Sequence, residues 1–149
     1  MNTSNVVNEV FTDLQKGQFN RAGDLLADNF HSTILGKAVD KSGYISTYRA
    51  ILQGMPDMKF HVQDVRTEGG KITVKVSLSG TNNLPIPALM KGWRQIPATH
   101  KKIEGLVAGL EVTLNGDKIE EIKSQGQEKG LFINLLDHLG LDYRKLQEN

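Results

Sequence analysis

The sequence predicts an α+β domain in which N-terminal helices pack on one face of a curved antiparallel sheet. Three observations carry this prediction. Apolar residues recur at three- and four-residue spacing through the first third of the chain, the helical period. From Phe60 the period changes to alternation, which is that of a half-buried strand. Two glycine-bearing turns then punctuate the alternating half, as antiparallel hairpins require. Helices first and strands afterwards is an α+β order rather than a βαβ one. At 149 residues the chain has the size of one domain with its own core, so 1–149 is read as a single domain.

Thr3 or Ser4 offers a cap for a first helix in which Val6, Val7, Val10, Phe11 and Leu14 share a face and Gly17 is the stop. After Lys16-Gly17-Gln18, the residues Phe19, Ala22, Leu25, Leu26 and Phe30 continue that spacing and predict a shorter helix over Asn20 to Ala27. Asp40 caps a third helix, Lys41 to Gly54, with Tyr44, Ile45, Tyr48, Ile51 and Leu52 on one face and Pro56 closing it. Phe60 and Val62, then Ile72, Val74, Val76 and Leu78, alternate with polar residues across a Gly69-Gly70 turn. Asn115-Gly116 joins a long strand, Lys102 to Leu114, to one running from about Asp117 to Gln127. Between the hairpins, Asn82 to His100 carries three prolines and is read as a long loop, a candidate lid or pocket rim. Leu131 to Leu139 forms a short closing helix stopped by Gly140.

Composition narrows the function classes. Apolar residues make up 38% and charged residues 23%, as in an ordinary globular protein. Eighteen basic residues face seventeen acidic ones without clustering, which argues against a nucleic-acid partner. There is no cysteine, so disulfides, thiolate metal sites and cysteine nucleophiles are excluded together. The polar stretch Met1 to Val10 lacks the pattern of a signal peptide, and the longest apolar-leaning run, Gly105 to Leu110, is far short of the roughly 20 residues of a membrane span. No membrane association is expected, and the cytoplasm is the default location. His31, His61 and His138 lack metal-ligand spacing, and no phosphate-binding loop, dinucleotide fingerprint or nucleophile elbow is present; neither metal nor cofactor is expected.

Several phrases then resemble the SnoaL-like ester cyclases, the polyketide cyclase group of the NTF2-like superfamily, over Phe19 to Gly140. They are Gly17-Gln18-Phe19 leading to Leu25-Leu26-Ala27-Asp28-Asn29-Phe30, Met55-Pro56-Asp57-Met58 with Val62-Gln63-Asp64-Val65, Ser79-Gly80-Thr81, Gly116-Asp117-Lys118-Ile119-Glu120-Glu121, and Leu135 to Leu141. Each marks a turn or a core face, so the likeness speaks to fold more than to chemistry. It implies a conical barrel with a deep cavity between sheet and helices. It also implies an acid/base aspartate near the end of the last strand, and pairing into homodimers. At the aspartate's position stands Gln127, followed by Glu128. A glutamine amide cannot shuttle a proton at neutral pH, and Glu128 replaces the base only if a bulge turns it inward.

Other candidates come from the residues themselves. Glu104 shares the parity of Leu106, Ala108, Leu110, Val112 and Leu114. A carboxylate on that apolar face has the raised pKa a general acid/base needs; the alternative is a hydrated carboxylate at the strand's mouth or one paired with lysine. His100, four residues earlier, has the same parity and is either its rim partner or a surface histidine. Gln125 and Gln127, with Lys123, line one face of a regular last strand, as ligand-orienting groups or as solvated edge residues. Trp93, beside Met90, caps a ligand, fills a core gap or serves a dimer interface. Tyr44 and Tyr48 turn their hydroxyls either to the cavity or to the surface.

Two functions fit. One is an enzyme without metal that binds a small, largely apolar carbonyl compound and uses Glu104, His100 or Glu128 as its acid/base for cyclisation or isomerisation. The other is a non-catalytic ligand- or partner-binding domain in which Gln125 and Gln127 hold the guest.

Overall fold

The computed structural model describes residues 3–68, 71–90, 92–124 and 130–146. Helix α1 spans Thr3–Gln15 and already includes both residues expected to cap it. It buries Val6, Val7, Val10, Phe11 and Leu14, the stripe its spacing dictates. A short α2, Phe19–Asp24, follows the turn at Gly17.

The chain then departs from the helical expectation. Residues Leu26–Ile34 form strand β1 and Lys37–Asp40 form β2, so the second helix ends three residues before Ala27. The apolar spacing of Leu25, Leu26 and Phe30 fits a helix, but Phe30, Ser32 and Ile34 are buried while His31 and Thr33 are exposed, the two-residue period of a strand. Leu35 and Gly36, both at positive φ (51° and 81°), make the two-residue turn that folds β2 back on β1.

Helix α3, Lys41–Gly54, starts where Asp40 Oδ1 accepts the Gly43 N–H at 2.8 Å. It is buried on two sides. Tyr44, Tyr48 and Ile51 form one buried stripe, and the smaller Thr47, Ala50 and Gly54 form a second that receives Ile86 and Leu89.

Strands β3 (Lys59–Glu68), β4 (Lys71–Thr81), β5 (Lys102–Asn115) and β6 (Lys118–Ser124) complete one six-stranded sheet in the order β2-β1-β6-β5-β4-β3. The expected all-antiparallel arrangement holds for every pair but one: β1 runs parallel to β6. The sheet does not close into a barrel, since β2 and β3 are free edges. The Gly69-Gly70 turn lies outside the described residues, but the antiparallel pairing of β3 with β4 agrees with it. At the other expected turn Asn115 pairs with Lys118 and Gly116 has φ 65°. Helix α4, Leu131–His138, buries Leu131, Phe132, Leu135 and Leu136.

Among the described residues the pairing register shifts at four places: between β1 and β6, between β5 and β6, and at two bulges that hold a residue at positive φ. In β3 the step from Gln63 to Arg66 faces the shorter step from Lys75 to Thr73, and Asp64 stands at φ 53°. In β5 the step from Leu106 to Ile103 faces that from Leu78 to Gly80, and Gly105 takes φ 74° at the extra residue. Beyond that glycine the parity of β5 is inverted.

The loop 82–101 is a packed strap rather than a lid. Ile86 and Ile96 exchange two backbone hydrogen bonds of 2.8 Å, and Ile86, Leu89, Trp93 and Ile96 are all buried. Asn82 fastens the ends: its Oδ1 accepts from Thr99 N–H (3.0 Å) and Oγ1 (2.8 Å), and its Nδ2 donates to Leu84 O at 2.7 Å. No helix among the described residues is long and apolar enough to cross a membrane.

Candidate functional site

Tyr44 and Tyr48 stand one turn apart on α3, so their side chains lie one above the other. Their hydroxyls are hydrogen-bonded at 3.1 Å and both side chains are buried. The Tyr48 ring is held by Phe11 and Phe60 edge-on, by Phe132 at 5.1 Å between centroids, and by Tyr44 at 5.0 Å; Phe30 backs Tyr44. Burial pushes both phenols well above the ordinary tyrosine value; the mutual hydrogen bond opposes this at Tyr44 and reinforces it at Tyr48. Both therefore stay neutral at physiological pH. Two hydroxyls carry two protons and the bond between them uses one. The other is available to an acceptor.

The pair lines a recess of about 130 Å³. Its walls are Leu35 from the β1–β2 turn, Leu110 of β5, Ile122 of β6, and Leu131, Phe132 and Ile133 of α4. Polar groups sit towards its rim: Thr33, Ser124 and Lys123, whose Nζ lies 3.7 Å from Glu111. Ser32 also lines it, but its hydroxyl donates to Ile122 O and ties β1 to β6. No carboxylate lines the recess among the described residues. Arrangements of this kind, an apolar cavity with a few converging polar groups, are typical of small-molecule sites. They hold a guest by its ring and orient it by its oxygen.

A family model described as SnoaL-like polyketide cyclase matches residues 5–135. The chain belongs to the SnoaL-like polyketide cyclase family. Solved structures agree on the fold. IdmH from Streptomyces antibioticus, assigned as a polyketide cyclase, superposes with a TM-score of 0.70 at 16% identity, covering 95% of this chain and 100% of that one. A SnoaL-like polyketide cyclase from Jannaschia sp. CCS1 gives 0.66 at 19% identity over 83% of each chain. AclR from Streptomyces galilaeus, assigned as a hydroxylase, gives 0.64 at 13% identity over 93% of this chain and 95% of that one. One SnoaL-like scaffold thus carries different assigned chemistries. The curated proteins contain no match to this sequence.

In this SnoaL-like chain, three of the residues singled out from sequence, Tyr44, Tyr48 and Lys123, line the recess. Trp93 does not. It is buried beside Leu89 and Met90 and lines a separate, open groove of about 780 Å³ between β2, the start of α3 and the strap. Glu104 is corrected outright: Gly105 inverts the parity, Ile103 takes the inward place, and the Glu104 side chain is 68% exposed with its carboxylate 2.9 Å from Lys102. The pair holds Lys102 above its ordinary pKa, mainly through the hydrogen bond to Glu104. His100 is exposed at φ 60° and gives its backbone N–H to Asn82 O at 2.8 Å; no hydrogen bond or ion pair joins it to Glu104. Gln125, Gln127 and Glu128 lie outside the described residues.

Sequence reasoning missed the β1 wall, because the expected helix over Asn20 to Ala27 ran into the start of β1 and residues 28–39 carry no element in it, and missed α4 as a wall. The inward alternation of Phe30, Ser32 and Ile34 was the signal for the first. For the second, Phe132 belongs to the same apolar face as Leu131, Leu135 and Leu136, and reaches Tyr48 through it. Among the described residues no three His, Asp or Glu side chains gather in a way that would hold a metal.

Proposed function

We propose that this SnoaL-like protein binds a small, largely apolar molecule in the recess, with a carbonyl oxygen of the guest accepting from the Tyr44–Tyr48 pair. The observation that carries the reading is the buried hydroxyl pair, bonded at 3.1 Å, in a mostly apolar lining. Neutral phenols fixed by surrounding rings need no reorganisation to meet an oxygen, and their hydrogen bond gains strength where water is excluded. The same donor would stabilise negative charge developing on that oxygen, which is what cyclisation or isomerisation next to a carbonyl demands.

Catalysis additionally needs a base. The candidate for it is Glu128, next to the Gln127 that stands where the family resemblance implies an aspartate. Without such a base the pair binds and polarises but does not turn over.

Calorimetric titration with acetophenone and with ethylbenzene, which differ in the carbonyl, tests the binding reading. Acetophenone should bind about tenfold more tightly, the worth of one good hydrogen bond, and the double variant Tyr44→Phe/Tyr48→Phe, which removes both donors, should erase the difference. Equal affinities that ignore the double variant would overturn it. Turnover of a β-ketoester panel abolished by Glu128→Gln would mark the protein as an enzyme; no turnover by the unmodified protein would leave a binding domain.

A further inference from the structure

We infer that the recess accepts a molecule built on one six-membered ring and excludes fused-ring skeletons. This rests on the reading of the tyrosine-lined recess as the ligand site. The first argument is volume: about 130 Å³ is available, close to the cavity of about 150 Å³ that holds a single benzene in another protein, and below the range of about 300–1,000 Å³ for drug-sized guests.

The second argument is what occupies the remaining interior. Six aromatic rings, those of Phe11, Phe30, Tyr44, Tyr48, Phe60 and Phe132, are in contact through centroid separations of 5.0 to 6.4 Å. They fill the space between helices and sheet that a second or third fused ring would need. Rings packed at core density move aside only by displacing their neighbours.

The third argument is the origin of the walls. Leu110, Ile122, Tyr48 and Phe132 come from strands and helices, so widening the recess on their side means separating α4 or α3 from the sheet; only Leu35 and Gly36 come from the β1–β2 turn among the walls opposite. A one-ring guest needs no such motion. Its face would lie along the apolar wall, and a carbonyl in or next to the ring would reach the phenols.

The test is a size series of ketones titrated into the full chain by calorimetry: acetophenone with one ring, 1-tetralone with two fused rings and anthrone with three. Acetophenone should bind, 1-tetralone at least tenfold more weakly, and anthrone not at all up to its solubility. Binding of 1-tetralone or anthrone as tightly as acetophenone would overturn the size limit while leaving the ligand site in place. Failure of all three to bind would remove the ligand site and the limit together. Phe132→Ala should admit 1-tetralone; because that residue is buried, the half-buried Ile133→Ala is the companion variant. It should narrow the gap between the two ketones at least threefold, and an unchanged gap in both folded variants would count against the limit.

Discussion

Tyr44 and Tyr48 share one hydrogen bond inside an aromatic cluster, which makes the native state sensitive to alkali. In the unfolded chain a tyrosine ionises near about pH 10. In the native state both hold their protons to higher pH. Their contribution to stability is therefore complete below about pH 10 and is lost as pH rises beyond it, because the unfolded state then binds fewer protons. Urea melts should show the midpoint falling as pH rises above about 10, and Tyr48→Phe should make that fall shallower. At neutral pH the same variant should lose about 1–2 kcal/mol, since one buried hydroxyl is left without its partner. The helical spacing of these residues placed them on one face, but whether the hydroxyls met inside or faced water depends on Phe132, more than eighty positions away in the chain and beyond any local pattern. Glu104 misled for the opposite reason. Its parity was correct for a regular strand, and a single glycine inverted it. Gly105→Ala, forced to keep φ 74°, should cost about 1 kcal/mol in thermal or urea denaturation.

At the level of elements, α3 is held by its small-residue stripe as much as by its aromatic one. A Cβ added at Gly54 would lie 2.2 Å from Ile86 Cγ1 and 3.0 Å from Ile86 Cα, so relief requires the strap's backbone to move. Gly54→Ala should destabilise by about 1–3 kcal/mol, the usual range for overpacking. Asn82→Ala should cost about 2–3 kcal/mol, since it strands the Thr99 and Leu84 groups, and should speed amide exchange across 83–100 more than in the sheet. Three prolines and no clear period make that segment a long loop in sequence, a candidate lid or pocket rim. Its order comes from the Ile86–Ile96 bridge and from Asn82, contacts that sequence spacing does not announce. The third helix, by contrast, was legible from its Asp40 cap to its end at Gly54, because cap and periodicity agreed. The β1–β2 hairpin was hidden because Leu25, Leu26 and Phe30 satisfy the helical template over the few residues available.

On the scale of the molecule, the helices-then-sheet order was readable, whereas the strand order was not. Antiparallel neighbours follow from hairpin turns, but the parallel union of β1 with β6 has no turn to betray it. That union and α4 close the recess from two sides. A chain ended after Ser124 should lose cooperative unfolding, seen as a reduced urea m-value, because it leaves behind the core residues Leu131, Phe132, Leu135, Leu136 and Leu139.

The bond from Ser32 to Ile122 spans 90 residues of chain. On the ribosome, growth from the N-terminus exposes the β1–β2 hairpin long before its central neighbour exists. One side of β1 must wait, unpaired, while the strap, β5 and then β6 are polymerised. Until then it is an open edge exposed to any extended segment nearby. Slowing elongation within β5 should therefore lengthen the interval of vulnerability and raise the aggregated fraction, whereas slowing it after Gly140 should have little effect.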